Sequence, residues 1–185
     1  MAEELTNYIE DDWNDNSLTN RSAKEKGLYY SYSEGGTGDL LKGVYRPKWK
    51  VMRGSPTVTS GELVIQSGDY PYIQTQSKIT TGSWSYDWRD LNQSAENLYT
   101  DFFVVDESDF RNESYEHILD YGNSQNVLVV RNSGSGTTLI NSSNVGNSSR
   151  YKITRDHYSN FESFKDGSSV GTSTDETFTK CNAIQ

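Results

Sequence analysis

The stretch YKITRDHYSNFESFKDGSSVGTST, residues 151–174, decides the fold class of this chain. Bulky and polar side chains alternate over residues 151–155 with the period of two that a half-buried strand requires. A polar turn leads to a second strand at residues 161–165, followed by a tight hairpin turn at Asp166-Gly167, since glycine and aspartate accept positive φ angles. A third strand at residues 169–173 is expected to run back beside the second. The stretch predicts an antiparallel meander that packing and turn chemistry explain without a ligand.

The composition of the whole chain also indicates an all-β fold. Its 185 residues are enough for one domain with a buried core. Hydrophobic residues make up only 32%, but 13 Tyr, 6 Phe and 4 Trp supply apolar surface, and strands favour aromatic side chains. We therefore predict a flexible N-terminal tail at residues 1–7 and a single β-sandwich domain at residues 8–185.

Charge and residue usage narrow the choice of partners. The formal net charge of −9 argues against nucleic acid, because an acidic surface repels phosphate groups. No apolar run is long enough to cross a membrane, so we expect no membrane insertion. The single cysteine, Cys181, allows no internal disulfide, and stability is expected from packing or assembly. Residues 1–5 lack the basic and apolar regions of a signal peptide, which predicts synthesis and release in the cytoplasm.

Ten further segments have the alternation or the apolar content of strands. The most regular is residues 82–89, where Trp84, Tyr86 and Trp88 share one face that is expected to pack in the core. Turn signals at short, even spacing predict a sandwich or a barrel. The predicted strands are residues 8–13, 28–33, 44–51, 61–66, 72–75, 82–89, 99–105, 115–119, 126–131 and 137–140.

Four of these pieces, taken in order, resemble a known superfamily. They are the acidic and aromatic start at residues 11–18, the strand Leu63-Val64-Ile65, the broad strand at 82–88, and the hairpin that ends in Asp-Gly at 151–167. Together they resemble the concanavalin A-like lectin/glucanase superfamily, the jelly-roll sandwiches that include laminin G-like modules. The resemblance implies a two-sheet antiparallel β-sandwich. Only residues 178–185 remain for a final strand, so this strand is either short or completed by a neighbouring subunit.

The resemblance also implies two chemistries for an acidic cluster. Glucanases of the superfamily hydrolyse glycosides with two carboxylates a few residues apart on one strand. The comparable cluster here is Asp106, Glu107 and Asp109, but the Glu-x-Asp-x-x-Glu arrangement of the family is absent. We therefore assign no catalytic residue and predict a protein that is not an enzyme. The same three residues are a candidate Ca²⁺ site, against the simpler interpretation of a turn that satisfies its own backbone. No other cofactor is predicted.

Carbohydrate binding is a third chemistry that the superfamily implies. Sugar rings stack their C–H faces on aromatic side chains, while their hydroxyls need polar partners. The candidate carbohydrate-binding residues are Tyr29, Tyr32, Trp49, Tyr70 and Tyr72.

A lectin-like fold without an export signal favours a virion component, since such proteins are made in the host cytoplasm and leave by lysis. The leading hypothesis is a non-enzymatic virion-surface protein, a capsid decoration, turret or tail component that contacts host-surface glycans. Its expected partners are further copies of itself, forming a homo-oligomer, or the major capsid or tail proteins. The alternative is an extracellular carbohydrate-binding module or glycoside hydrolase of the same superfamily, the enzyme using Asp106 or Glu107.

Overall fold

A computed structural model of the chain describes residues 8–9, 44–45, 49–60, 62–65, 71–77, 79–89, 97–106, 111–143, 145–146 and 148–185. All regular structure in these residues is β-strand, and none of them forms a helix that could cross a membrane. The chain divides between residues 75 and 76 into two compact units. The prediction of one domain over residues 8–185 stays a prediction, and each unit is described by itself.

The described residues of the first unit form three strand pairs. The first two strands, β1 (Tyr8–Ile9) and β2 (Val44–Tyr45), pair in parallel. Antiparallel pairs join β3 (Lys50–Arg53) to β6 (Tyr72–Gln76), whose last residue belongs to the second unit, and β4 (Thr57–Thr59) to β5 (Glu62–Val64). The predicted single strand at residues 44–51 is therefore wrong. In the sequence, Pro47 falls between β2 and β3, and proline has no N–H to donate to a strand ladder.

The second unit is built from two antiparallel sheets. One has the order β11-β10-β9-β8-β15 within this unit, and the other has the order β14-β13-β12-β7. These strands are β7 (Gly82–Arg89), β8 (Leu98–Val104), β9 (Ser114–Asp120), β10 (Gln125–Asn132), β11 (Ser135–Ser143), β12 (Ser148–Arg155), β13 (Asn160–Lys165), β14 (Ser168–Thr174) and β15 (Ala183–Ile184). The predicted all-β antiparallel sandwich is confirmed.

The meander predicted at residues 151–174 is present as β12, β13 and β14. Lys165 pairs with both Tyr151 and Ser168 across the two ladders. Asp166 and Gly167 adopt φ angles of 49° and 82°, which is the pair of positive angles that a tight hairpin turn requires. Local alternation and turn chemistry thus explain this part of the fold.

The core lies between the two sheets and is rich in aromatic rings. Tyr115 of β9 is its centre, with the ring of Phe161 at 4.7 Å and that of Phe103 at 5.3 Å between centroids. The predicted inward face of β7 is confirmed, because Trp84 packs 5.0 Å from Phe102 and Tyr86 packs 5.9 Å from Tyr151. Aromatic rings therefore fill the volume that aliphatic side chains fill in most cores.

The end of the chain closes one sheet with a short strand. Ala183 of β15 pairs antiparallel with Val104 of β8, and the backbone of Gln185 exchanges hydrogen bonds with that of Asp101 at 2.9 and 3.1 Å. Of the two predicted alternatives, the short final strand is the one that the structure contains. Cys181, just before it, is a buried thiol that donates to the carbonyl of Ala183 at 3.5 Å.

Gly171 of β14 marks a close approach between the edges of the two sheets. A Cβ atom at this position would lie 2.5 Å from Cγ2 of Ile140 on β11. Gly171→Ala is therefore expected to lower the free energy of unfolding by about 1–3 kcal/mol through overpacking. Urea titration of the variant checks this value. Ile140→Ala should then lower the free energy of unfolding by less in the Gly171→Ala variant than in the wild type. Equal losses in the two backgrounds would contradict the predicted contact.

Candidate functional site

An open groove of about 500 Å³ lies at the end of the meander. Its volume falls within the range of small-ligand sites. Three strands and the turn between β12 and β13 form its lining, which consists of Thr154, Arg155, Asp156, Asn160, Phe161, Glu162, Thr172, Ser173 and Thr174. Most of these residues carry a hydroxyl, amide or carboxylate group, so the groove is polar.

Strand register arranges the polar side chains in two rows. Thr154, Glu162 and Thr172 are direct cross-strand partners and form the first row. Asn160 and Thr174 are partners in the second row, two residues further along β13. From the standard spacing of strands and residues, the two rows cover about 10 Å across the strands and ~7 Å along them. Such a footprint suits a small, flat, polyhydroxylated ligand.

The second row is fixed by its own hydrogen bonds. The hydroxyl of Thr174 donates to Oδ1 of Asn160 at 2.7 Å, and Nδ2 of Asn160 donates to Oδ2 of Asp156 at 2.9 Å. Oδ1 of Asp156 accepts the backbone N–H groups of Tyr158 and Asn160 at 2.8 and 2.9 Å. Hydrogen bonds from Asn160 hold the pKa of Asp156 below its usual value, since they stabilise the carboxylate. This end of the groove is a rigid, negatively charged wall.

The first row instead offers groups that are available to a ligand. In the described part of the chain, the carboxylate of Glu162 and the hydroxyl of Thr172 have no hydrogen-bond partner. The hydroxyl of Thr154 makes a long contact of 3.4 Å with the backbone carbonyl of Glu162. The Glu162 carboxylate accepts hydrogen bonds, and the hydroxyls of Thr172 and Thr154 both donate and accept them. A sugar diol needs this combination of groups.

An exposed aromatic pair stands on the turn beside the groove. Tyr158 is 68% exposed, and the ring of His157 lies 3.8 Å from its ring between centroids. The backbone of Tyr158 is held by Asp156, a lining residue of the groove. A large exposed ring on the turn next to a polar groove offers a stacking surface for an apolar ring face.

Arg155 lies beneath the groove and fixes its floor. The residue is 4% exposed, and its guanidinium carbon lies 5.0 to 5.2 Å from the ring centroids of Phe103, Tyr115 and Phe161. It donates to the carbonyl of Phe178 at 2.7 Å, to Oγ of Ser159 at 3.0 Å and to the carbonyl of Thr80 at 3.3 Å. Arg155 thus joins the turn of the groove to two other segments of the unit.

None of the candidate residues that the structure describes lines this groove. Trp49 and Tyr72 are half-buried in the first unit. Tyr29, Tyr32 and Tyr70 lie outside the described residues, as do Glu107 and Asp109 of the acidic cluster. Asp106 is half-buried and accepts a 3.5 Å hydrogen bond from Nδ2 of Asn112. Within the described ranges, no three metal-ligating side chains come together, so the Ca²⁺ site stays a prediction.

A cluster of buried charged residues lies on the sheet that does not carry the groove, and the sequence alone does not predict it. Asp101 of β8 and Glu116 of β9 are direct cross-strand partners, 1% and 0% exposed. Glu116 pairs with Arg111 at 2.5 Å and with Arg131 at 2.6 Å, while Ser114 donates to Asp101 at 2.8 Å. Burial and the nearby Glu116 carboxylate raise the pKa of Asp101 to about 7. The cluster has the burial and the partners of a structural charge network.

Buried polar groups also cross the core at His117. Nδ1 of His117 accepts from the hydroxyl of Tyr86 at 2.5 Å, and Nε2 donates to Oδ1 of Asn126 at 2.5 Å. Burial lowers the pKa of His117 to about 4, because desolvation penalises the imidazolium. The imidazole is therefore neutral, and its role is to satisfy two other buried polar side chains.

Comparison with solved structures identifies the class of fold. The carbohydrate-binding module CBM66 from Bacillus subtilis aligns with a TM-score of 0.60 over 74% of this chain and 84% of that chain, at 14% identity. The kappa-carrageenase of Zobellia galactanivorans aligns with a TM-score of 0.41, at 14% identity, over 70% of this chain and 63% of that chain. The kappa-carrageenase of Pseudoalteromonas carrageenovora gives 0.42 at 11% identity, over 74% and 73%. No family model and no curated protein sequence matches the chain.

At this identity, the likeness to the carbohydrate-binding module shows the fold alone. The chain has a jelly-roll β-sandwich of the kind that the resemblance implied. The two alignments to carrageenases are too weak to support any argument about the chain.

Proposed function

We propose that this chain is a non-catalytic carbohydrate-binding domain that holds a glycan in the groove formed by β12, β13 and β14. The observation that carries the proposal is the pairing of a polar groove with an exposed ring on the turn that adjoins it. Glu162, Thr172 and Thr154 offer hydrogen-bonding groups in one row, and Tyr158 offers a stacking face. Sugars need both, because their hydroxyls require partners and their C–H faces are apolar.

The same geometry supports binding over hydrolysis. A glycosidase needs a second carboxyl group that can act as an acid, with its pKa raised. Of the two carboxylates in the groove, Asp156 accepts three hydrogen bonds and has a lowered pKa, so it is a poor proton donor. Both oxygens of Asp156 are held by the turn, so Glu162 is the one carboxylate of the lining that is open to a ligand, whereas glycoside hydrolysis needs two.

The fold comparison also supports the alternative hypothesis over the leading one. The solved structure with the TM-score of 0.60 is a carbohydrate-binding module, whereas nothing in the comparisons supports a virion-surface role. The predicted capsid or tail partners, the homo-oligomer and the location on a virion have no support beyond the sequence argument. Glycan binding is common to both hypotheses, and it is the part of them that the groove supports.

Loss of binding in groove variants tests the proposal. A glycan array of neutral glucans, mannans, galactans and fructans identifies a ligand, and calorimetry then measures its affinity. Thr172→Val and Glu162→Ala should each weaken binding by about tenfold or more, because each removes a hydrogen bond to the ligand. Tyr158→Ala should weaken it by ~10-fold through the loss of stacking.

Matched substitutions outside the groove serve as controls. Thr138→Val alters an exposed threonine of β11, and Glu113→Gln alters a glutamate that does not line the groove. Both should bind like the wild type. The proposal would be wrong if the three groove variants kept full affinity, or if the array showed no binding.

A further inference from the structure

The charges of the groove carry an inference about the class of glycan, one that rests on the proposed function. We infer that the groove selects uncharged sugar residues, one or two at a time, and excludes sulfated and uronic acid glycans. Three properties of the lining lead to this selectivity: the sign of its exposed charges, the kind of hydrogen-bonding groups it presents, and its length.

The exposed charges of the lining are negative. Asp156 and Glu162 are its carboxylates, and the hydrogen bonds of Asp156 keep it ionised. Two like charges in contact repel more strongly near a protein surface than in bulk water, because the effective dielectric is lower there. An anionic sugar would have to approach both groups, and the net charge of −9 adds to the repulsion.

The one cation among the lining residues does not offset this repulsion. Arg155 is buried, and its two terminal nitrogens already donate to Thr80, Ser159 and Phe178. Basic sites that bind sulfate or carboxylate groups present a free guanidinium fork or an ammonium group. Here the guanidinium is occupied by protein carbonyls and a hydroxyl, so it is not presented to a ligand.

Hydrogen-bond chemistry leads to the same class of ligand. An ionised carboxylate only accepts hydrogen bonds, so Glu162 needs a donor from the ligand. Sugar hydroxyls donate, whereas sulfate and carboxylate groups only accept. The hydroxyls of Thr172 and Thr154 can then complete the contacts of a neighbouring hydroxyl on the same ring. A neutral diol satisfies the first row, and an anionic substituent leaves Glu162 unpaired.

The next row along the strands limits the length of the ligand. Lys152 and Phe164 are the cross-strand partners there, and Nζ of Lys152 lies 3.9 Å from the centroid of the Phe164 ring. The lysine side chain covers this ring, which therefore offers no open stacking face to a longer chain. The two rows of the groove span about 10 Å by ~7 Å, which one or two sugar rings fill.

Binding to matched neutral and charged glycans tests the inference. The probes are an array that presents each neutral backbone beside its sulfated or uronic acid form, and calorimetry at low and at 0.5 M salt. At low salt, we expect the neutral glycans to bind at least about tenfold more tightly than their charged forms. This difference in affinity should become smaller at high salt, because salt screens the repulsion. Glu162→Gln should reduce the difference in affinity between neutral and charged glycans at low salt, whereas Glu113→Gln should leave this difference unchanged.

The failure of this inference differs from the failure of the proposed function. Tighter binding to sulfated or uronic acid members, weakened by Tyr158→Ala and Thr172→Val, would overturn the selectivity and leave the groove as the glycan site. Binding to no member of the array would overturn both. Equal binding to neutral and charged members at low salt would overturn the selectivity alone.

Discussion

Replacing Arg155 by methionine is expected to lower the free energy of unfolding by about 3 kcal/mol or more. Its guanidinium is buried among three aromatic rings and donates to two backbone carbonyls and a serine hydroxyl. Methionine fills part of the volume but leaves the carbonyls of Thr80 and Phe178 without these donors. Buried acceptors that lose a charged donor carry the full desolvation penalty, which makes this the most costly single substitution that we predict.

A second arginine on the same strand provides the control. Arg150 forms a bidentate pair with Asp87 at 2.7 and 2.8 Å, but both side chains are on the exposed face of the sheet. Arg150→Met should leave the urea midpoint almost unchanged, because exposed ion pairs contribute little. The midpoint is measured by the fluorescence of the tryptophans in both variants. Equal stability losses for Arg155→Met and Arg150→Met would contradict the structural role of Arg155.

Asp101→Asn is expected to stabilise the protein at pH 8 and to have little effect near pH 4. Burial and the carboxylate of Glu116 raise the pKa of Asp101 from 3.8 to about 7. Between these values the unfolded chain releases a proton that the folded chain keeps, so the wild type loses stability as pH rises through this window. The loss is on the order of 4 kcal/mol at most. Asparagine avoids it and can still accept the hydrogen bond from Ser114.

His117 titrates in the same window with the opposite sign. Its pKa is lowered by burial to about 4, so the folded state does not take up the proton that the unfolded chain binds below about pH 6.5. Stability is therefore lost as pH falls through this range. In the wild type the two effects oppose each other. Asp101→Asn should leave the His117 effect alone, so that stability rises with pH between about 4 and 6.5.

Denaturant titrations of wild type and Asp101→Asn from pH 4 to pH 8 measure the difference directly. The stability advantage of the variant should grow with pH and level off above about pH 7. Asp87→Asn is the matched control, because Arg150 lowers the pKa of this exposed carboxyl and no gain at high pH is expected. A variant that is less stable than the wild type at pH 8 would contradict this prediction, because it would show that the folded protein stabilises the ionised Asp101 carboxylate.

The parts of the fold that were predictable depend on neighbours in sequence. The strands at residues 82–89 and 151–174 were identified because alternation and the Asp166-Gly167 turn are local signals. The strand predicted at 44–51 was wrong, since a run of suitable residues across Pro47 does not show where pairing stops. The sequence does not decide between a short final strand and one completed by a neighbouring subunit, because the partner of this strand, β8, is about eighty residues away along the chain.

The candidate site depends on contacts that the sequence does not show. Thr154, Glu162 and Thr172 are unremarkable polar residues until strand register places them in one row. Asp101 and Glu116 look like ordinary exposed charges, and only the pairing of β8 with β9 reveals a buried pair. The sequence does contain one local signal for the candidate site. In the turn at residues 156–160, a tyrosine follows an aspartate that is suited to accept hydrogen bonds from the turn backbone.

The most direct test of the account is to map a bound glycan by amide chemical shifts. ¹⁵N-labelled protein is titrated with a neutral oligosaccharide that the array identifies. The largest shifts are expected at residues 154–162 and 172–174, and they should be much smaller in Thr172→Val at the same ligand concentration. Shifts confined to the surroundings of Trp49 and Tyr72, or spread evenly over the chain, would contradict the assignment of the groove as the glycan site.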